Sequence, residues 1–259
     1  MRVGDLEIQP VLDGVALFPI SDPFVNMPID AWAPHRQFLT SNDELELALG
    51  GFLVRSGDRV VLIDTGVGRV DSGAFHGGAF MTSLATLGVS PEDVTDVVFT
   101  HLHFDHVGWA TQQGTVVFPN ATYRCDERDW GHFVGPDPAA TRKLSPLTDR
   151  MAFWDRSGPL LPGVDAMVAP GHTPGSTIIV ISSGAERALL LGDVVHCPVE
   201  LLDDEWAGIG DVDPELAKRT RNALTRELEG EDVPVAAAHF PGLQFGKLLA
   251  ASGKRRWVV

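Results

Sequence analysis

Residues 100–108 read Thr-His-Leu-His-Phe-Asp-His-Val-Gly, so His101, His103, Asp105 and His106 fall within six consecutive positions. Imidazole nitrogens together with a carboxylate oxygen are the donors that bind a borderline-soft divalent ion. Three of the chain's nine histidines sit in this one hexapeptide. A solvated polar turn has no need of such density, and the motif reads as a metal site. The run Val97-Val-Phe-Thr100 leads straight into it as a short apolar strand.

Three further segments share that layout, an apolar run that stops at a ligand-type residue. Ala169-Pro-Gly-His-Thr-Pro-Gly175 presents His172 on a loop pinned by two prolines and two glycines. Leu189-Leu-Leu-Gly-Asp193 ends at Asp193, and Val235-Ala-Ala-Ala-His239 ends at His239. A residue at a strand end is held rigidly while its side chain stays free to converge on a site. Singly, a histidine there also serves as a structural hydrogen-bonder, and an aspartate can cap a turn. As a set, the four segments supply two coordination spheres.

The set resembles the metallo-β-lactamase superfamily, whose signature is His-x-His-x-Asp-His followed by a distant His, a distant Asp and a final His. The resemblance covers about residues 50–240. It implies a first metal on His101, His103 and His172, a second on Asp105, His106 and His239, and Asp193 bridging both. Asp64, in Ile-Asp-Thr-Gly, matches an early Asp-x-Gly element and would orient a ligand from behind; a turn aspartate after a strand would look the same. The implied fold is α/β: a four-layer αβ/βα sandwich of two mixed sheets with helices on the outer faces and the metals at one edge. Zinc is the expected ion, and the same N/O donors also accept Mn, Fe or Co.

Hairpin, helix and strand signals fit that frame. Residues 6–18 and 48–64 read as strands, with a hairpin turn at Gly57-Asp58. Phe80 to Leu87 suits a short helix closed by Gly88. Strands are expected at 116–118, 122–124, 166–168, 177–182, 188–191, 233–238 and 257–259. Asp213-Pro214-Glu215 opens a helix running to Leu228, with an N-cap aspartate and proline at the first position. Residues 20–45 have no clean period and read as an ordered arm, lying either over the pocket or against a neighbouring subunit of a homodimer. No linker or repeat divides the chain, so one domain over 1–259 is expected.

Bulk composition narrows the partners. At 259 residues and 44% hydrophobic content, the chain can bury a sizeable core. A net charge of −15 opposes nucleic-acid binding and docking on an anionic membrane. Cys125 and Cys197 are too few for a disulfide framework or a thiolate zinc site and read as reduced thiols. The N-terminus carries no apolar signal segment, and the expected location is the cytoplasm.

Two ions about 3.5–4 Å apart share and activate a water, so the expected chemistry is metal-assisted hydrolysis of a small molecule, with Asp105 carrying the proton. Asp193 stands where one β-lactamase subclass has cysteine, and His103 where the flavodiiron branch has glutamate; both disfavour those activities. Phe104, Trp109 and Asp193-Val-Val-His196-Cys-Pro resemble the lactonase and organophosphate-hydrolase branch. An ester, lactone or phosphotriester is therefore the expected substrate. His196 is a candidate catalytic hydrogen-bond donor or else a core histidine. The lactonases of that branch have a tyrosine near this region, whereas the single tyrosine here is Tyr123. Phe104, Trp109, Trp130, Phe133 and Trp206 are candidate walls of an apolar pocket, a pattern that core packing would also produce. Two alternatives remain. One is a glyoxalase II-type thioesterase, for which Lys247, Lys254, Arg255 and Arg256 would supply basic groups. The other is a metal-binding or sensing protein without turnover.

Overall fold

The computed structural model describes residues 1–25, 27–208, 210–251 and 253–259. Strands largely buried on both faces assemble into two mixed sheets, one of nine strands and one of five. In the larger sheet, Met151–Trp154, Thr122–Asp126, Asp96–Val98 and Arg59–Ile63 lie side by side and parallel. Glu44–Ser56 and Leu6–Pro19 then add antiparallel neighbours, and the hairpin at Gly57-Asp58 pairs Ser56 with Arg59. The smaller sheet runs Gly158–Leu161, Val164–Val168, Thr177–Ser183, Glu186–Leu190 and Val235–Ala236, antiparallel except for its last pair.

Period-two alternation decides which layer each side chain joins. Phe52, Val54, Val61, Ile63 and Val98 face inward and meet Ala166, Ile179, Ile181 and Leu190 of the second sheet in one shared core. Leu53, Leu62 and Val97 face outward, covered by Phe80 and Leu84 of helix Phe80–Thr86, Phe133 of helix Glu127–Phe133 and Leu144 of helix Pro138–Leu144. On the far side, Ile178, Leu189 and Val235 lie under Leu224 and Leu228 of helix Pro214–Leu228. The result is the four-layer helix–sheet–sheet–helix sandwich that the resemblance implies.

Helix Pro214–Leu228 starts where expected because the Asp213 carboxylate accepts the Leu216 N–H at 2.9 Å. The same signal marks Asp137-Pro138, which opens helix Pro138–Leu144 and was not among the expected elements. At seven residues, that helix and Glu127–Phe133 are too short to establish a 3.6-residue period. The expected strand at 233–238 shortens to Val235–Ala236, because the chain leaves its parallel partner Leu189–Leu190 and turns at Ala237–Phe240. Residues 20–45 contain 3₁₀ turns over Ile29–Phe38, and their anchors Phe24, Trp32 and Phe38 are buried. Asn26 of this arm lies outside the described residues. No helix among the described residues is long and apolar enough to cross a membrane.

Ile179 is fully buried at the centre of the inter-sheet core. Ile179→Ala is expected to lower stability by about 2–5 kcal/mol, read from the midpoint and slope of urea denaturation.

Candidate metal centre

Each expected ligand follows the end of a strand, and all of them converge at one edge of the sandwich. His101, His103, His172 and Asp193 offer donor atoms within 4.8 Å of one another, and so do Asp105, His106 and His239. Asp193 joins the two groups. Its Oδ2 lies 3.2 Å from His239 Nε2, 3.4 Å from His172 Nε2 and 3.6 Å from His101 Nε2. Its Oδ1 lies 3.2 Å from His106 Nε2. Gly192 makes this placement possible: its φ is +54°, and a Cβ there would meet Thr100 Cβ at 2.8 Å.

The outward nitrogens show which ring atoms face inward. His106 Nδ1 donates to Asp64 Oδ2 at 2.9 Å, His172 Nδ1 to Asp211 Oδ1 at 3.0 Å and His239 Nδ1 to the Ala48 carbonyl at 2.9 Å. Thr100 Oγ1 donates to Asp64 Oδ2 at 2.7 Å, leaving its oxygen to accept from His101 Nδ1 at 3.2 Å. Acceptors on the outside therefore leave bare Nε2 lone pairs on the inside. His101 Nε2 and His172 Nε2 stand 3.0 Å and 2.9 Å from His103 Nδ1. At most one proton can be shared among those three nitrogens. His106 Nε2 and Asp193 Oδ1 are buried without any hydrogen-bond partner. A divalent cation satisfies all of these atoms together, and the residues present fit it.

Protonation follows the same environment. Burial, with His106 nearby, holds His101 well below the usual imidazole range; burial and His172 push His103 down to about 3. Both rings are neutral, the form that ligates. Burial works against charge on Asp193, but His106 and His239 outweigh it and keep the carboxyl ionised. Burial also opposes charge on His106, where Asp193 and Asp64 prevail and raise it. On His196, Glu200 and Asp193 overcome burial and raise the imidazole to about 9.

Asp64 reaches back to the Thr100 N–H at 2.8 Å from a left-handed backbone, φ 61°. Aspartate tolerates that region better than most residues. Three other buried carboxylates were not anticipated from the sequence. Asp211 holds His172. Asp129 accepts from Leu102 N at 3.1 Å, Thr173 Oγ1 at 3.0 Å and Gly175 N at 2.6 Å, tying the 101–106 loop to the 172–175 loop. Asp13, where the register between Leu6–Pro19 and Glu44–Ser56 slips, accepts from Gly68 N, Gly78 N, Phe80 N and Trp109 Nε1 at 2.8–2.9 Å. None carries a sequence signal beyond an aspartate beside a loop.

A cavity of about 400 Å³ opens over the cluster, lined by His103, Asp105, His172, Asp193, His196 and His239 below and largely apolar groups above. Of the five aromatic candidates, Phe104 lines it. Trp109 does not, because its indole is turned toward Asp13 in the core. Trp130 packs on Phe153 outside it. Trp206 stands one layer back, its ring 5.1 Å from Phe24 and 4.7 Å from Trp32. Phe133 supports His103 edge-on at 5.4 Å from the neighbouring cavity. The walls that sequence reasoning did not name, Pro23 and Phe24 of the arm and Phe18 and Phe75, come from chain-distant segments.

Residues 51–239 match the family model of the metallo-β-lactamase superfamily. The chain belongs to that superfamily. N-acyl homoserine lactonase of Bacillus thuringiensis is 25% identical over 211 residues, 73% of this chain and 81% of that protein. Metallo-β-lactamase domain-containing protein 1 of Mus musculus is 30% identical over 172 residues, 63% of this chain and 54% of that protein. Among solved structures, the dizinc quorum-quenching lactonase AidC superposes with a TM-score of 0.89 at 24% identity, over 100% of this chain and 95% of that one. The hydrolase AbOPH gives 0.87 at 25% identity, again over 100% and 95%. Family and donor cluster together define a metal-dependent hydrolase, with divalent metal as its cofactor.

Asp129→Asn is expected to weaken zinc binding by roughly 10–100-fold, since it loosens two candidate ligand loops at once. Competition against a chromogenic chelator measures this, and unchanged affinity would mean the loops are held by other contacts.

Proposed function

We propose that the protein hydrolyses a neutral lactone or carboxylic ester with two divalent ions, zinc by preference. His101, His103 and His172 would hold the first, Asp105, His106 and His239 the second, and Asp193 lies between the two groups. The observation that carries the substrate class is the cavity lining: among the described residues, no lysine or arginine borders it. Lys247 pairs instead with Asp232, and Arg255 with Asp204 and Glu229. A glutathione thioester would bring carboxylates with nothing to receive them, so the thioesterase reading loses its basic groups. The lactonase relatives agree with an uncharged substrate. A cytoplasmic location suits the two buried free thiols.

Bound ions at such a centre supply Lewis acidity and lower the pKa of water enough to give a nucleophile at neutral pH. The remaining work falls to this chain's side chains. Asp105 lines the cavity, its Oδ2 3.6 Å from His239 Nε2. It takes the proton from the attacking water and returns it to the alkoxide as the ring or ester C–O bond breaks. His196 borders the same cavity, its Nε2 3.6 Å from Asp193 Oδ2, and hydrogen-bonds the substrate's carbonyl or leaving oxygen. Phe104, Phe75 and Phe24 exclude water and hold the apolar part of the substrate.

Metal analysis and a panel of γ-lactones, p-nitrophenyl esters, paraoxon and S-lactoylglutathione test this reading. Chelator-sensitive cleavage of the lactones or esters is expected; turnover confined to the glutathione thioester would overturn it. Asp105→Asn is expected to lower kcat by roughly 10²–10⁴-fold, and near-wild-type turnover would remove its assigned role. His196→Ala should retain metal but lower kcat/KM about tenfold, the worth of one hydrogen bond of about 1.4 kcal/mol. Unchanged kinetics across the panel would make His196 structural.

A further inference from the structure

Beneath the cavity wall lies a buried charge pair that takes no part in the donor cluster. Glu200, in the short helix Val199–Leu202, is 0% exposed, and Arg221, on helix Pro214–Leu228, is 1% exposed. Glu200 Oε1 stands 3.3 Å from Arg221 Nη1. Desolvating two charges costs several kcal/mol, and apolar residues of similar volume are often as stable. Stability alone therefore gives a weak account of this pair.

Its contacts all lead to His196. Glu200 Oε2 accepts the His196 backbone N–H at 2.5 Å and the Cys197 N–H at 3.1 Å, and it lies 3.5 Å from His196 Nδ1. Arg221 Nη2 donates to the Trp206 carbonyl, which anchors the segment leading to Gly208. Gly208 packs against the imidazole so closely that a Cβ there would come within 3.0 Å of His196 Cε1. Phe24 forms a β-bridge with Gly208 and places its ring against Trp206. His196 is thus held at its backbone and packed across its ring by Gly208, while its buried Nδ1, which has no hydrogen-bond partner, faces the Glu200 carboxylate at 3.5 Å. Its Nε2 edge remains toward Asp193 and the cavity.

We propose that Glu200 and Arg221 are positioning residues that hold the His196 imidazole in a single orientation, Nε2 toward the substrate. The proposal rests on the reading of His196 as a substrate contact. Glu200 fixes the His196 backbone through its N–H and presents its carboxylate to the Nδ1 edge of the ring. Arg221 keeps that carboxylate in place and, through the Trp206 carbonyl, ties it to the segment whose Gly208 packs on the ring.

Glu200→Gln in the zinc-loaded protein tests this, since it retains an acceptor for the backbone N–H groups while removing the charge. Two readouts are taken after zinc content and melting temperature establish a folded, loaded protein. In a double-mutant cycle on the best substrate of the panel, Glu200→Gln is expected to lower kcat/KM about tenfold alone and less than twofold in a His196→Ala background. Equal losses in both backgrounds would overturn the proposal. In spectra of protein labelled with ¹⁵N-histidine, Glu200→Gln should move or broaden the His196 ring signals and leave the His101 and His106 signals in place. Unmoved His196 signals would overturn it too. The spectra need no turnover, so failure of the hydrolase reading is distinguished from failure of this one. If Glu200→Gln does not fold, Arg221→Lys, which keeps the buried charge, goes through the same measurements and must show the same coupling.

Discussion

Bare lone pairs pointing at one another are the constraint around which this molecule is arranged. Five imidazoles and two carboxylates converge around Asp193 with their inward donor atoms facing one another, an array that a divalent cation satisfies. Something must hold each ring in that orientation. The outward acceptors do so: Asp64, Asp211, the Ala48 carbonyl and the Thr100 hydroxyl each engage one nitrogen and thereby commit the other to the inside. Behind them, Asp13 and Asp129 stitch loops that would otherwise move independently. The polar interior is costly, and the shared apolar core of the two sheets is what makes it sustainable.

The cavity above this centre sets opposites against each other, a polar floor under phenylalanine and proline walls. Lys247 and Arg255 are paired with carboxylates away from the cavity, and Arg221 is buried beneath its wall. A ligand entering there meets apolar contact first and polarising groups only at its reactive end.

Much of the donor set was legible in the sequence because ligand chemistry is tied to residue type and, within 101–106, to adjacency. The Gly57-Asp58 hairpin and the Asp213-Pro214 cap likewise expose themselves locally. Short helices such as Glu127–Phe133 escape, because two turns give no period to read. Aromatic roles escape for a different reason. Trp109 looks like a pocket wall until Asp13, nearly a hundred residues away, is seen to accept its indole N–H. The burial of Arg221 against Glu200 likewise follows only from the packing of its helix.

By itself the sequence determined the chemistry available: which atoms can bind metal, how many there are, and that rigid strand ends carry them. Tertiary structure alone decided which nitrogen of each ring faces inward, which aspartates hold those rings, and which aromatics border the cavity. The physical reason is that donor type belongs to a single residue, whereas orientation, burial and enclosure belong to contacts between segments far apart in the chain.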